Sequence, residues 1–238
     1  MDGHRSRINR IVTRLPYRSI TFDCYGTLVD WRRGMRESLA TLPTLHGHEE
    51  RFAELKSARM EAEQELERGD YLPYAEVLAL SLRAACKMVL GLDLPAVEAR
   101  RFADAQSRWP AFDDSVPALR RLAPLARLAV LSNSDREPLR TTSAEVLGGL
   151  VEPLVSAEDV RSYKPAQRHF EEALHRLECA PGEVLHVSAY PYYDLHPAHA
   201  LGMPIAYVDR DPSQKPPEDI PLAASCADLA ALADALGA

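Results

Sequence analysis

The chain of 238 residues is 46% hydrophobic and 26% charged, and it carries a formal net charge of −7. This composition is typical of a globular protein, and the acidic balance argues against nucleic acid as the main partner, because phosphate binding needs clustered lysine and arginine. No apolar run approaches the roughly 20 residues of a membrane span, so a membrane partner is not expected either.

The first 16 residues are rich in arginine but lack the apolar stretch of a secretory signal. We interpret residues 1–16 as an N-terminal extension, with an organellar transit segment as the weaker alternative. The four cysteines lack the spacing of a metal site and are typical of reduced thiols in the cytoplasm. They are Cys24, Cys86, Cys179 and Cys226.

Short apolar runs predict buried strands, with helical patterns between most of them. The predicted strands cover residues 19–22, 125–132, 153–156, 182–188 and 204–208. Apolar residues at helical spacing predict helices over 114–123 and 165–177, and a small helix follows over 226–237. This alternation indicates an α/β fold with a doubly wound parallel sheet.

Residues 31–110 break the alternation, because they contain only helical patterns, punctuated by Gly69-Asp70 and Gly91. We interpret this segment as an all-helical cap inserted after the first strand. Residues 17–30 and 111–238 then form the α/β core domain.

Polar residues follow the predicted strands, where ligands of open α/β sheets collect. Asp23 follows the first strand, Ser132 and Asn133 follow the second, and Lys164 and Asp194 lie in later loops. A carboxylate, a hydroxyl–amide pair, an ammonium and a second carboxylate can therefore meet in one pocket. Each residue also has a purely structural interpretation, as a helix cap, a turn or a solvated side chain.

Four motifs carry a resemblance to a known family. In order, "FDCYGTLVDW", "VLSNSD", "SYKP" and the segment that starts "LHVSAYPYYD" resemble the motifs of the haloacid dehalogenase superfamily. Asp-x-Tyr-Gly-Thr in the first motif is similar to the L-2-haloacid dehalogenase branch. The resemblance extends from about residue 17 onward, and it implies a Rossmann-like core, a helical cap and a homodimer.

The resemblance also implies catalytic roles. Asp23 would displace a halide from carbon and form an aspartyl ester, which water would then hydrolyse. Lys164 would keep Asp23 ionised and oriented, and Asp194 would position Lys164 and the water. Thr27, four residues after Asp23, could donate a hydrogen bond to the Asp23 carboxylate.

Other residues are candidates for binding the substrate. Ser132 and Asn133 suit a substrate carboxylate or a departing halide. The backbone N–H groups of Cys24 and Tyr25 could stabilise an oxyanion during ester hydrolysis. Ser188 could supply a further polar contact.

The cap is expected to contribute as well. The L-2-haloacid branch has a cap arginine that cradles the halide or the carboxylate, and Arg59 is the nearest candidate, with Lys56 as another. Each could instead be an ordinary solvated residue. Aromatic residues are candidates for lining the pocket, namely Tyr71 or Tyr74, Trp109 and Phe112.

Tyr25 separates the two main chemistries of the superfamily. Phosphatases carry an acid at this position to protonate the leaving alkoxide, whereas halide leaves without a proton. Tyr25 therefore favours carbon–halogen cleavage. The last motif also has one carboxylate fewer than a Mg²⁺ site of the phosphatases, so no metal and no cofactor are expected.

The leading hypothesis is a cytoplasmic hydrolase that cleaves the carbon–halogen bond of a short 2-haloacid through an ester on Asp23. Two alternatives remain: a Mg²⁺-dependent phosphatase of the same superfamily, and a catalytically silent homologue that binds a small metabolite. The aromatic "YPYY" in the last motif is the feature that keeps the silent homologue open.

Overall fold

A computed structural model describes residues 15–238. Six strands form one parallel sheet in the order β3-β2-β1-β4-β5-β6. The strands are β1 (Ser19–Asp23), β2 (Arg127–Ser132), β3 (Leu154–Ser156), β4 (Val184–Ser188), β5 (Ile205–Val208) and β6 (Ala224–Cys226). All five strands predicted from apolar runs are confirmed.

Residues 15–238 contain ten α-helices. Five precede β2: α1 (Trp31–Leu39), α2 (Phe52–Arg68), α3 (Tyr74–Leu90), α4 (Ala96–Ala105) and α5 (Ser115–Leu122). The others are α6 (Arg136–Thr141), α7 (Ala157–Val160), α8 (Arg168–Leu177), α9 (His196–Ala200) and α10 (Leu229–Ala235). Within residues 15–238, none of the helices is long and apolar enough to cross a membrane.

Strand β6 was not predicted. It has three residues, all at least partly exposed, and its sequence contains no apolar run. The predicted extension over residues 1–16 lies outside the described residues except for its last two. Of these, Leu15 is buried and belongs to the hydrophobic core.

The apolar core lies on both faces of the sheet. Successive residues of a strand point to opposite faces, so Ile20 and Phe22 of β1 pack into one layer while Leu131 of β2 and Ile205 of β5 pack into the other. Such two-sided burial explains why the strands read as continuous apolar runs rather than as alternating patterns.

The helical cap is inserted between β1 and β2, as predicted. Helices α2, α3 and α4 pack against one another in sequence. The chain leaves and re-enters the core at adjacent points, because Asp30 N donates to Pro110 O at 2.8 Å and Val29 pairs with Ala111. These contacts support residues 31–110 as the proposed limits of the cap.

The order of the strands positions the site. Strand β1 lies between β2 and β4, so the carboxyl ends of these three strands meet at one edge of the sheet. Gly26 forms the turn after β1 with φ +103°, and an added Cβ would overlap the ring of Tyr190. Glycine is therefore required here both for the backbone conformation and for the close approach of Tyr190.

Candidate active site

Asp23 is the last residue of β1 and is 6% exposed. Each of its carboxylate oxygens has a separate donor: Lys164 Nζ lies 2.7 Å from Oδ1, and Thr27 Oγ1 donates to Oδ2 at 2.8 Å. Thr27 is fixed in turn by Ala189 N, which donates to its hydroxyl at 3.1 Å. The carboxylate therefore has a defined orientation at the edge of the sheet.

Lys164 links the two acids of the site. Its ammonium group also lies 2.7 Å from Asp194 Oδ1 and 3.3 Å from Leu131 O. Its backbone is held by the side chain of Asn133, whose Oδ1 accepts from Lys164 N at 2.7 Å. The amide of Asn133 thus aligns the loop that carries the lysine.

Asp194 has a dense set of partners of its own. His186 Nε2 lies 3.3 Å from Oδ1, and Ser188 Oγ donates to Oδ2 at 3.0 Å. Beneath it, Thr21 Oγ1 lies 2.9 Å from His186 Nδ1. Polar side chains of β1 and β4 therefore continue the network below the carboxylate.

The two acids titrate differently, although both are buried. Burial raises the pKa of Asp23 above the usual 3.8, and the opposing attraction of Lys164 does not fully offset this. Burial also opposes ionisation of Asp194, but Lys164 and His186 outweigh it and lower the pKa of that carboxyl to about 2. Burial alone would lower the pKa of Lys164, whereas Asp194 and Asp23 together raise it.

A cavity of about 140 Å³ opens above Asp23 between the core and the cap. One wall is aromatic, formed by Tyr25, Trp31, Trp109 and Tyr190. The ring of Tyr25 packs edge-on against Trp109 with centroids 6.0 Å apart, and Trp31 Nε1 donates to Tyr190 Oη at 2.9 Å. The space that faces the carboxylate is therefore bounded on this side by aromatic rings.

The opposite wall is formed by one face of α2. Residues at helical spacing line it, namely Arg59, Met60, Glu63, Gln64 and Glu67. Arg59 is 3% exposed and its Nη2 lies 3.0 Å from Glu63 Oε2. Burial and the neighbouring Glu63 raise the pKa of Glu67 to about 8. At neutral pH most of the Glu67 side chains are therefore uncharged.

The structure brings most of the predicted site residues to this cavity. Those that line it are Asp23, Tyr25, Arg59, Ser132, Asn133, Lys164 and Asp194. Thr27 lies behind Asp23 and is hydrogen-bonded to it. Of the aromatic candidates, Tyr74 and Trp109 also line the cavity.

Other candidates lie elsewhere. Ser188 is fully buried and its hydroxyl is used by Asp194, so the structure does not bring it to the cavity. The side chain of Cys24 packs in the hydrophobic core, which does not bear on the prediction for its backbone N–H group. Lys56 lines a separate groove together with Phe112, and Tyr71 lies in an outer pocket.

The sequence interpretation missed several residues of the site. Glu63 and Glu67 follow Arg59 at spacings of four and eight, a pattern that could have placed them on the same helix face. No sequence pattern indicates that Trp31, Tyr190 and Tyr193 belong to the site, because their position depends on how the cap packs on the core. His186 resembled an ordinary residue of a buried strand.

Comparison with known proteins agrees with this geometry. The family model of the haloacid dehalogenase-like hydrolases matches residues 17–202. The chain belongs to the haloacid dehalogenase-like hydrolase family. It is 28% identical over 206 residues to (S)-2-haloacid dehalogenase 1 of Pseudomonas sp. (strain CBS-3), covering 82% of this chain and 86% of that protein.

Solved structures of similar proteins give the same fold for this haloacid dehalogenase-like hydrolase. One L-2-haloacid dehalogenase, 26% identical, has a TM-score of 0.79 and covers 92% of this chain and 99% of its own. The L-2-haloacid dehalogenase of Xanthobacter autotrophicus with chloropropionic acid covalently bound is 22% identical, with a TM-score of 0.77 over 92% and 97% of the two chains.

Magnesium, which phosphatases of the superfamily use, does not fit the donor set of this family member. The ammonium of Lys164 lies 2.7 Å from both Asp23 and Asp194, so a cation shared by the two carboxylates would meet another positive charge. Within residues 15–238, no group of three or more His, Cys, Asp or Glu side chains is arranged to hold a metal ion.

Proposed function

We propose that this hydrolase cleaves the carbon–halogen bond of a short 2-haloacid. The observation that carries the proposal is the buried Asp23 carboxylate, held by Lys164 and Thr27 and facing a small cavity with an aromatic wall. A carboxylate with restricted orientation and little water is a competent nucleophile toward carbon. The curated relatives, which are named (S)-2-haloacid dehalogenases, support the same reaction.

In the first step, Asp23 attacks C2 of the substrate. The C2–halogen bond breaks as the C2–Oδ bond forms, and the halogen leaves with the bonding electrons as halide. Arg59 lines the cavity, and we assign it to the substrate carboxylate. Ser132 lines the same cavity, and we assign its hydroxyl to the carboxylate or the halide.

In the second step, water attacks the carbonyl carbon of the Asp23 ester. We assign the backbone N–H groups of Cys24 and Tyr25 to the developing oxyanion. Lys164 stabilises the returning carboxylate, and Asp194 holds Lys164 and positions the water. The products are a 2-hydroxyacid, the free Asp23 carboxylate and a proton.

Tyr25 supports this chemistry over phosphoryl transfer. Its hydroxyl lies 2.8 Å from Thr142 Oγ1, and burial raises its pKa well above the usual 10. A phenol with that pKa is a poor proton donor to a leaving alkoxide. Halide needs no proton, so the reaction proposed here does not depend on an acid at this position.

Halide release tests the proposed reaction. Wild-type enzyme is incubated with 2-chloropropionate or chloroacetate and free chloride is measured, next to Asp23→Asn. The variant is expected to lose turnover, whereas Asp70→Asn, which changes an exposed carboxylate, is expected to retain it. Absence of release from every small haloacid, together with Mg²⁺-dependent hydrolysis of p-nitrophenyl phosphate, would favour the phosphatase alternative.

Isotope labelling tests the ester separately. In a single turnover in ¹⁸O-labelled water, the ester route places the label in the Asp23 carboxylate, because water attacks its carbonyl carbon. Direct attack of water on the substrate would instead place the label in the hydroxyacid. Mass spectrometry of the peptide that contains residue 23 distinguishes the two routes.

We also propose that the enzyme works in the cytoplasm as a homodimer. The four cysteines form no disulfide, which supports a reducing compartment. Exposed apolar side chains of the cap, Met88 and Val97, support an association surface there. Light scattering after size exclusion measures the mass, and a monomer at all concentrations would contradict the dimer.

A further inference from the structure

The Arg59 guanidinium is incompletely paired. Its Nη2 lies 3.0 Å from Glu63 Oε2, while Nε and Nη1 are buried and have no hydrogen-bond partner among residues 15–238. Buried donors without an acceptor are rare, since each loses its bonds to water. Arg59 also lines the cavity, so its positive charge is available to an anionic group that binds there.

Glu63 is held at both of its carboxylate oxygens. Oε2 pairs with Arg59, and Oε1 accepts a hydrogen bond from the hydroxyl of Tyr74. A carboxylate with two such partners cannot rotate without breaking one of them. The Nη2 end of the Arg59 guanidinium is therefore held by Glu63, whose own position depends on Tyr74.

Tyr74 is anchored to the core by its backbone. It begins α3, and Asp135 accepts hydrogen bonds from Tyr74 N through Oδ1 and from Ala75 N through Oδ2, both at 2.8 Å. Asp135 follows Ser132 by three residues, in the loop that leaves β2. A continuous series of polar contacts thus connects the sheet edge beside Asp23 to Arg59 across the cap–core boundary.

We infer that Glu63 and Tyr74 are positioning residues, which fix the Arg59 guanidinium so that it receives the substrate carboxylate at a set place relative to Asp23. The inference rests on the proposed function, since it takes a carboxylate as the group that Arg59 binds. An arginine that has four rotatable bonds gains from such preorganisation, because less rotational freedom is lost when the carboxylate binds. In-line attack also needs C2 close to the Asp23 oxygen.

The experiment measures binding without turnover. In the Asp23→Asn background, isothermal titration with 2-chloropropionate gives the Kd of the carboxylate. Glu63→Gln is expected to weaken binding about tenfold and Tyr74→Phe about threefold, the sizes expected for a charged and a neutral contact. Tyr74→Phe removes one hydroxyl only, so it decides the question even where Glu63→Gln lowers stability.

Matched controls come from the same elements. Tyr71→Phe removes a buried hydroxyl that has no partner within the described residues, and Glu65→Gln changes an exposed glutamate that pairs only with Arg68. Both are expected to bind like the background. A similar loss in Tyr71→Phe, equal binding in all variants, or no binding in any of them would overturn the inference.

A second measurement separates positioning from a general structural effect. If Glu63 acts through Arg59, then Arg59→Lys combined with Glu63→Gln binds no more weakly than Arg59→Lys alone. Losses that multiply would mean that Glu63 acts by another route and would overturn the inference. The proposed function can fail separately: wild-type enzyme that releases no halide rejects it, while the titration still reports whether Glu63 controls carboxylate binding.

Discussion

The core side and the cap side of the pocket differ in how completely their charged groups are paired. On the core side, every oxygen of Asp23 and Asp194 has a donor, and Lys164 lies between the two acids. On the cap side, Arg59 keeps two donors unused, and Glu67 has its pKa raised to about 8 by burial and Glu63. Among residues 15–238, the core side is fully paired without substrate, whereas the cap side keeps two unpaired donors on Arg59.

This difference assigns separate tasks to the two sides. A closed network at the core stabilises charge on the group that reacts, so changes there should lower kcat. In the proposed reaction Arg59 on the cap binds the group that does not react, so changes there should raise KM. Each prediction below tests that division.

The largest effect is expected from Lys164→Met. The variant leaves Asp23 and Asp194 buried without their shared cation, and kcat should fall by about a thousandfold. Steady-state halide release measures this, and a melting curve checks that the variant is folded. Lys215→Met, at an exposed position, should retain activity. A change confined to KM would contradict the task assigned to the core side.

Arg59→Lys is expected to act on binding instead. Lysine keeps the charge but loses the planar fork, so KM for 2-chloropropionate should rise about tenfold or more while kcat changes less. Lys56→Met is the matched comparison, because Lys56 faces a separate groove. If Lys56→Met raises KM and Arg59→Lys does not, the wrong cap residue has been assigned to the carboxylate.

Glu67→Gln should change the alkaline side of the pH profile. The uncharged form of Glu67 dominates below pH of about 8. As pH rises through that value, the new negative charge repels the anionic substrate, and KM in the wild type should increase several-fold. Glutamine cannot ionise, so the variant should lose this dependence. Glu61→Gln, at an exposed position, should leave the wild-type profile unchanged.

The smallest effect is expected from Thr27→Val. Activity requires ionised Asp23. Because the pKa of Asp23 is raised, activity should fall on the acid side at a pH above 3.8, the usual pKa of an aspartate. Loss of the Thr27 hydrogen bond raises that pKa further, so the acid limb should move to higher pH by about half to one unit. Thr44→Val, whose hydroxyl contacts Glu98 instead, serves as the control. A shift toward lower pH would contradict the role of Thr27.

The two sides also differ in how far sequence could predict them. Asp23, Ser132 and Asp194 follow apolar strands, and parallel strands bring their carboxyl ends together, so convergence follows from the fold class. No sequence pattern predicts strand β6 or the contacts of Tyr190, because both depend on tertiary packing. The sequence did not decide between Arg59 and Lys56 as the cap cation, because a polar helix such as α2 has a weakly defined inner face.

The raised pKa of Asp23 also affects the protein when no substrate is present. A carboxyl that binds its proton more tightly in the folded than in the unfolded state makes folding less favourable once it is ionised. Its contribution to stability is greatest below pH 3.8 and is lost as pH rises through the folded-state pKa. Asp23→Asn, which carries no charge, should therefore melt at a higher temperature than the wild type at pH 7, and the gap should narrow as the solution is acidified. Keeping Asp23 ionised in a buried position therefore lowers the thermal stability of the protein.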